Sequence, residues 1–488
     1  MKVLFYARGS EIFGIEYISA ILKDTGHQTD IIFDTGLDDN LYFKNIFINR
    51  EKFFRKLIRK TQDFKPDLLA LSFVTNVFPL IPELTERFKE NFDIPIIAGG
   101  IHPTLLPEEV LKVKGIDMVC VGEGEEAMLE LVNNMEMGKE DLTIKNIWFK
   151  IDGKIIKNEL RDLVALDNLP VPDKDLFAPF FCFSDTVHLI ATRGCPYRCT
   201  YCYNHIYWEM YKDKGKFLRQ QNVEKVIEEL LIYKKKYNPQ NFFFQDDTFT
   251  FNKPWLKSFS ELYKKNINRP FSVISHLERI DEEVLEYLKA ANCSTLFVGI
   301  ESGSDRIRKK VLNRNISNDD IKKKMKLIKK YAMKTVTFLM FGLPHETEKD
   351  MWDTVNLIKD VKPNYVGAGT FYPFPKTSLT EYCVKEGLID QETILSISLG
   401  LGTYSEKTLL KQENAELAIN LKNLIAFSNW LPSPFSPLLK ILAKTKSKWL
   451  MKLIKLIWII TMPCKSPLYK SRLKEYLKQL KLTIFDIS

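Results

Sequence analysis

The sequence predicts an α/β protein with a doubly wound amino-terminal domain, a partial (β/α)6 barrel and a mainly helical carboxyl-terminal region. Short apolar runs alternate with helical patterns up to about residue 136, and the alternation resumes at about residue 186. A chain of 488 residues also exceeds one ordinary hydrophobic core, which favours several domains. We therefore divide the chain into the segments 1–136, 137–185, 186–400 and 401–488.

The first segment contains five apolar runs separated by helical patterns. The runs are KVLFYA, TDIIFD, DLLALSF, IPIIAGG and DMVCVG. Continuous apolar strands of this length are typical of a parallel sheet that helices cover on both faces. In such a doubly wound domain the ligand crevice lies at the carboxyl ends of the strands.

Small and polar residues follow three of these strands, in LSFVTN, GGIHPT and VGEGEE. Glycine lets the backbone approach a ligand closely, and hydroxyl and backbone N–H groups bind phosphate or amide groups. The alternative is that the glycines only form tight turns, but three such loops at one edge favour a binding crevice. The predicted crevice residues are Ser72, Thr75, Gly99, Gly100, His102, Thr104, Gly122, Glu123 and Gly124.

Segment 137–185 differs from both of its neighbours. NIWFKIDGKIIKN places two β-rich runs around Asp152-Gly153, which predicts a hairpin, and LDNLPVPDKDLF is a Pro-rich extended linker. Six strand–helix units follow, with the strands VHLIATRG, FFFQDD, FSVIS, TLFVGIES, TVTFLMFGLP and YVGAGTFYP. Six units are too few for a closed eightfold barrel and fit an open one, with functional residues where the strands end.

Three of the eight cysteines stand at the spacing Cys195-x3-Cys199-x2-Cys202. Three thiols at this spacing cannot all lie on one helix face, so the loop must surround its ligand. A structural zinc site needs four ligands, and His205 is the candidate for the fourth. A four-iron cluster on three cysteines leaves one iron open to another ligand, which suits catalysis.

With Tyr201 directly before its last cysteine, this loop resembles the signature of the radical S-adenosylmethionine superfamily. In that family the open iron binds the amino and carboxylate groups of S-adenosylmethionine, and one electron cleaves this cosubstrate to a 5′-deoxyadenosyl radical. The resemblance implies a [4Fe–4S] cluster on Cys195, Cys199 and Cys202. It also implies an external electron donor of the flavodoxin or ferredoxin type.

Other barrel segments resemble the cobalamin-binding branch of this superfamily. FFFQDDTFT is similar to its second-strand motif, which implies that Asp246 and Asp247 lie near the methionine moiety or orient the cluster loop. SHLERIDEEVLEYLKAANCSTLFVGIESGSD is similar to the segment in which Arg279 and Glu301 help to hold S-adenosylmethionine. A structural ion pair is the alternative role for each of these two residues.

The amino-terminal crevice is similar to the Rossmann-like cobalamin-binding domain of the same branch, so the resemblance covers about residues 1–400. It implies cobalamin as a further cofactor. The Asp-x-His-x-x-Gly sequence by which many cobalamin proteins supply a histidine to cobalt is absent. Because His27 and His102 stand in other contexts, we expect no histidine of this domain on cobalt.

The net charge of +9 is concentrated near the carboxyl terminus, since residues 436–488 contain twelve basic and two acidic residues. Lys448, Lys452 and Lys455 stand at helical offsets in apolar sequence, which predicts a basic amphipathic helix on an anionic membrane surface. A helix packed on the barrel or in a dimer interface is the alternative. The amino terminus lacks signal-peptide features, so we expect the protein in the cytoplasm, with peripheral contact to the inner face of the membrane.

The preferred function is that of a radical enzyme that uses cobalamin to methylate an unactivated carbon of a small-molecule or lipid-like substrate. A second hypothesis is radical cyclisation, oxidation or rearrangement without methyl transfer. A third is a non-catalytic cobalamin-binding or metal-binding regulator with a decayed barrel. The helical carboxyl terminus argues against a nucleic-acid role, for which an appended RNA-binding β-domain is expected.

Overall fold

The computed structural model contains two main sheets, one in each half of the chain. It describes residues 1–37, 50–183, 185–401, 408–428, 436–447, 449–451, 453–454, 456–457 and 473–481. Both predicted α/β parts are present, which confirms the fold class. The exact segment boundaries remain predictions.

The first sheet has seven strands. They are β1 (Lys2–Arg8), β2 (Gln28–Asp34), β3 (Leu68–Ser72), β4 (Ile96–Gly99), β5 (Met118–Cys120), β6 (Ile147–Ile151) and β7 (Lys154–Ile156). Their order is β2-β1-β3-β4-β5-β6-β7; β1 to β5 are parallel, and β6 and β7 form an antiparallel hairpin beside β5. Asp152 and Gly153 occupy the hairpin turn with φ of 49° and 75°, so the predicted hairpin is confirmed and continues the first sheet.

Helices cover this sheet on both faces. They are α1 (Phe13–Asp24), α2 (Arg50–Phe64), α3 (Ile81–Lys89), α4 (Ile101–Leu105), α5 (Pro107–Lys112) and α6 (Glu125–Glu136). Alternate residues of β1 enter two separate cores: Val3 and Phe5 pack with α1 and α6, whereas Leu4 and Tyr6 pack with α2, α3 and α5. This two-sided burial explains the continuous apolar runs of the sequence.

The second sheet forms the barrel. The remaining strands are β8 (Thr186–Leu189), β9 (Thr192–Arg193), β10 (Arg219–Gln220), β11 (Asn241–Phe244), β12 (Phe271–Ser275), β13 (Cys293–Glu301), β14 (Lys334–Phe341) and β15 (Tyr365–Thr370). The barrel strands are all parallel in the order β8-β11-β12-β13-β14-β15, with β8 and β15 at the edges. Strands β9 and β10 form a short antiparallel pair between β8 and β11 in the chain. The six predicted units therefore form an open, partial barrel.

The helices that follow the first sheet are α7 (Asn204–Met210), α8 (Val223–Tyr237), α9 (Lys253–Asn266), α10 (Glu282–Ala290), α11 (Asp305–Lys310), α12 (Asn318–Lys330), α13 (Glu348–Val361), α14 (Ser378–Lys385), α15 (Gln391–Ser398), α16 (Ala415–Ser428) and α17 (Ser436–Ala443). The outer face of the barrel sheet, with Val187, Phe242 and Val273, packs against the helices in one continuous core. Residues that alternate with these, such as His188 and Phe243, face the lumen.

The basic tail is only partly described. Lys448, Lys452 and Lys455, which carry the predicted amphipathic helix, lie outside the described residues. Among the residues that are described, no helix combines the length and the apolar character needed to cross a membrane.

Candidate active site

The three cysteines lie on the loop between β9 and α7, above the carboxyl ends of the barrel strands. The loop starts at Gly194, whose φ is +90°. A Cβ atom at this position would lie 2.6 Å from the carbonyl oxygen of Phe217, so only glycine fits without a shift of backbone. The loop is thus held tightly against the chain that leads into β10.

Each cysteine sulfur has one polar neighbour. Thr248 Oγ1 lies 3.7 Å from Cys195 Sγ, Arg314 Nη1 donates to Cys199 Sγ at 3.7 Å, and Asn204 Nδ2 donates to Cys202 Sγ at 3.7 Å. Burial raises the pKa of Cys195 to about 11 and of Cys202 to about 12. Buried thiols of this kind become thiolates when a metal displaces the proton, and the donors then stabilise the charge on sulfur. The donor set fits a three-thiolate cluster site.

The zinc alternative is not supported by the position of His205. Its Nε2 accepts a hydrogen bond from the N–H of Ser378 at 3.2 Å, so that nitrogen is not free to bind a metal. In the part of the chain that the structure describes, no three His, Cys, Asp or Glu side chains gather around a single metal position.

Asp246 is buried beneath the cluster loop. Its Oδ1 accepts hydrogen bonds from the N–H of Ala191 at 3.0 Å and from the hydroxyl of Thr192 at 2.6 Å. Its Oδ2 is buried without a partner in the described residues, and burial raises the pKa of the carboxyl to about 7. Asp246 therefore holds the chain that leads into the loop, which supports the second of its two expected roles. Asp247 is exposed, and its charge adds to the effect of burial on the pKa of Cys195 and Cys202.

Glu301 and Arg314 form a buried charged pair at the end of β13. Glu301 has a φ of +68° at an irregularity in the β13–β14 pairing, and burial raises its pKa against the opposing effect of Arg314. Arg314 Nη2 donates to the carbonyl of Gly299 at 2.6 Å, and its Nη1 donates to the hydroxyl of Tyr201 at 3.3 Å. A fixed positive charge thus lies between Glu301 and Cys199. The sequence pattern carries no signal for Arg314, which lies in the loop between α11 and α12.

Arg279 contacts the cluster loop from the other side. It is exposed, and its Nε donates to the hydroxyl of Tyr197 at 3.2 Å. Tyr197 also stacks on His276 with ring centroids 3.8 Å apart. The expected role of Arg279 in holding the cosubstrate stays a prediction, because its observed partner is the loop itself.

The crevice at the carboxyl ends of the first sheet contains a cavity of about 370 Å³. Six of the nine predicted crevice residues line it: Ser72, Gly99, Gly100, Gly122, Glu123 and Gly124. A Cβ atom at Gly99 would meet only Cys120 Cβ, at 3.7 Å, so this glycine leaves space in the cavity that other residues would fill. Ile190, Arg193 and Tyr207 of the barrel half also line the cavity, which lies between the two halves of the chain. This glycine-lined space fits a bound cofactor.

The other three predicted crevice residues lie behind the cavity and support its loops. His102 is fully buried, its Nδ1 lies 3.3 Å from Thr75 Oγ1, and its ring lies 4.4 Å from that of Phe78. Burial lowers the pKa of His102 to about 4. Thr104 Oγ1 accepts a hydrogen bond from the N–H of Gly122 at 3.0 Å. The second histidine of the half, His27, lies beside the amino group of Met1.

Arg193 joins the crevice to the cluster loop. Its guanidinium donates to Glu123 at 3.0 Å and to Glu125 at 2.5 Å, and it lies over the ring of Tyr17. Arg219 donates to the same Glu123 carboxylate at 2.5 Å. The carboxylate of Glu123, a predicted crevice residue, is therefore engaged by two arginines of the barrel half. Long-range pairs of this kind leave no mark in local sequence.

Comparisons with known proteins agree with this arrangement. Residues 189–358 match the Radical SAM superfamily, and residues 11–132 match the B12 binding domain. An uncharacterised methyltransferase of Pyrococcus horikoshii is 28% identical over 77% of this chain and 79% of its own length. The anaerobic magnesium-protoporphyrin IX monomethyl ester cyclase of Rubrivivax gelatinosus is 24% identical over 78% of this chain and 69% of its own length.

Among solved structures, the radical S-adenosylmethionine methyltransferase TsrM from Kitasatospora setae superposes with a TM-score of 0.64. The match is 16% identical and covers 79% of this chain and 76% of that one, so it shows a shared fold. The two matched families lie in the order that the two sheets take along the chain. The chain belongs to the radical S-adenosylmethionine enzymes with an amino-terminal B12-binding domain, whose cofactors are a [4Fe–4S] cluster, S-adenosylmethionine and cobalamin.

Proposed function

We propose that this enzyme transfers a methyl group to an unactivated carbon of a small substrate. The observation that carries the proposal is the position of Arg193, which lines the crevice cavity and stands two residues before Cys195. A cofactor in the crevice and a cluster on the loop are thereby placed on either side of one residue. Names of relatives add support, since two of the three compared proteins are methyltransferases.

The bound cofactors supply the difficult chemistry, namely reductive cleavage of S-adenosylmethionine and carriage of a methyl group. The residues of this chain bind and orient. Cys195, Cys199 and Cys202 hold the cluster, Asp246 fixes the approach to the loop, and Arg314 with Glu301 presents charged groups beside Cys199. The glycines of the crevice leave the space in which cobalamin binds.

The direct test is anaerobic reconstitution with iron, sulfide and cobalamin, followed by addition of reductant and S-adenosylmethionine that carries a deuterated methyl group. We expect 5′-deoxyadenosine in the presence of reductant and label on cobalamin. Formation of 5′-deoxyadenosine without any labelled cobalamin would favour the second hypothesis, a radical reaction without methyl transfer. Absence of both products from protein that contains the cluster would remove the proposal.

Enzymes of this superfamily need a source of single electrons, and we propose a flavodoxin or ferredoxin as the donor. The same assay tests it when the chemical reductant is replaced by reduced flavodoxin or ferredoxin. Product at a rate within about tenfold of that with the chemical reductant is expected if either protein is the donor.

Contact with a membrane is a separate proposal that rests on the basic composition of residues 436–488. Truncation before Pro437 is expected to release the protein from liposomes that contain anionic lipid. Equal binding of the full and truncated chains would contradict it.

A further inference from the structure

Three phenylalanine rings form an aromatic floor across the barrel lumen, which we define as Phe243, Phe297 and Phe338. The ring centroids of Phe243 and Phe297 lie 4.6 Å apart with an interplanar angle of 26°, and those of Phe297 and Phe338 lie 6.1 Å apart at 29°. Phe243 and Phe297 meet although β12 separates their strands, because the sheet curves around the lumen. The result is a broad aromatic surface beneath the strand ends.

One end of the aromatic floor is open. Phe338 is 40% exposed, which is unusual for a large apolar side chain inside a barrel. The neighbouring lumen positions on β15 are Gly367 and Gly369. A Cβ atom at Gly367 would lie 3.2 Å from Phe338 Cδ1, and one at Gly369 would meet no atom within 4 Å. The glycines therefore leave room for a molecule beside Phe338.

A histidine lies at the other end of the aromatic floor. The ring of His188 on β8 makes an edge contact with Phe243, with centroids 5.8 Å apart. Its Nδ1 lies 2.5 Å from Glu11 Oε1, and Glu11 in turn accepts from Lys174 at 2.9 Å. Burial raises the pKa of Glu11, but Lys174 and His188 outweigh burial and lower it to about 2. Glu11 is therefore a carboxylate, and Nδ1 of His188 is the donor in this pair.

In a neutral imidazole with a proton on Nδ1, the Nε2 atom is an acceptor. Among the residues that the structure describes, nothing bonds to Nε2 of His188, and 14% of the side chain is exposed. Glu11 and Lys174 thus hold the ring in one orientation and leave one acceptor open. An acceptor fixed in this way beside an apolar surface selects for a ligand with a matching donor.

We propose that the lumen binds a substrate with a flat conjugated ring, which lies on the aromatic floor and donates a hydrogen bond from an N–H or O–H group to Nε2 of His188. This inference rests on the proposed function, since it names the substrate class of the same site. The strands that carry the aromatic floor and the histidine, β8, β11 and β13, lead directly to the cluster loop, Asp246 and Glu301. A ring on the floor is therefore covered by the groups that bind the cofactors.

Flat rings gain from offset stacking on phenylalanine, which a puckered aliphatic ring cannot match. The simpler explanation is that the three rings only close the bottom of the barrel and that His188 only joins the two halves of the chain. That explanation predicts no preference for flat molecules and no role for Nε2 in binding.

Indole is a suitable probe, because it combines a flat conjugated surface with one N–H group. Its dissociation constant for the reconstituted full chain is measured by ligand-observed NMR, beside those of 1-methylindole and cyclohexanol. We expect indole to bind most tightly. Phe338→Leu is expected to weaken both indoles about three- to tenfold. His188→Leu is expected to weaken indole by a similar factor and to leave 1-methylindole unchanged, since only indole donates a hydrogen bond.

Tyr287→Leu, which removes a ring from α10 on the outside of the barrel, is the matched control and is expected to change nothing. Equal binding of all three probes, or equal binding of indole to all variants, would overturn the proposal. Loss of 1-methylindole with His188→Leu would overturn the role of Nε2. The same preparations are assayed for 5′-deoxyadenosine, so that a failed substrate class with intact cleavage is distinguished from a failed enzyme assignment.

Discussion

The cluster loop and the amino-terminal crevice lie on either side of Arg193, yet they are prepared for their cofactors in opposite ways. The loop presents side chains, since each thiol has its own neighbour in Thr248, Arg314 or Asn204. The crevice withholds side chains, since glycine lines much of its cavity. The loop is therefore vulnerable to the removal of atoms, and the crevice to their addition.

The largest expected effect is the loss of the cluster on removal of one sulfur. Cys199→Ala should abolish the cluster and the formation of 5′-deoxyadenosine, because the remaining two thiols cannot hold three irons. Iron content, the visible absorption spectrum and the product assay measure this, and bound cobalamin should be retained. Cys293→Ala is the matched control, since Cys293 is also buried but stands at the amino-terminal end of β13. Loss of the cluster in the control, or its retention in Cys199→Ala, would contradict the assignment.

The opposite substitution tests the crevice. Gly99→Val adds three carbons where a Cβ atom has only Cys120 as a neighbour, so the protein should fold and the new side chain should occupy the cavity. We expect loss of bound cobalamin, measured by absorption after gel filtration, with the cluster and 5′-deoxyadenosine formation preserved. Gly99→Ala adds one carbon and should retain more cobalamin than the valine variant. If both cofactors are lost together, the two regions are not independent in the way that the comparison requires.

Local sequence was sufficient for features with a short period. The alternation of apolar runs and helices predicted both sheets, and Asp152-Gly153 predicted the hairpin. The roles of Thr248 and Arg314 could not be predicted in this way, because they come from loops 53 and 115 residues away from the cysteines that they contact. Side-chain direction was also out of reach: His102 and Gly99 stand three residues apart, yet one is packed behind the loop and the other lines the cavity.

A smaller effect is expected from the support beneath the loop. Asp246→Ala leaves the N–H of Ala191 and the hydroxyl of Thr192 without their acceptor, which costs about 2–4 kcal/mol of the free energy of unfolding. Asp246→Asn keeps an oxygen for both donors and should cost less than about 1 kcal/mol. Urea unfolding of the two variants measures the difference. Equal destabilisation would mean that the charge of Asp246, and not its acceptor, supports the loop.

The smallest effect concerns pH and the region behind the crevice. Burial lowers the pKa of His102 to about 4, below its ordinary value of 6.5. Above pH 6.5 the imidazole is neutral in both the folded and the unfolded chain, and its environment costs nothing through proton binding. Below pH 6.5 the unfolded chain takes up a proton that the folded chain does not, so stability falls as the pH falls toward 4.

At pH 5 this loss is about 2 kcal/mol relative to pH 7. His276 of the barrel half also has a pKa lowered by burial and by nearby Arg314, to about 2, and it acts in the same direction. His102→Leu separates the two, because it removes only the contribution from behind the crevice. The fall in the free energy of unfolding between pH 7 and pH 5, measured with urea, should be about 2 kcal/mol smaller in this variant than in the natural chain. An unchanged pH dependence would mean that His102 takes up its proton without unfolding, and that the crevice is more open to water than its packing around Thr75 and Phe78 indicates.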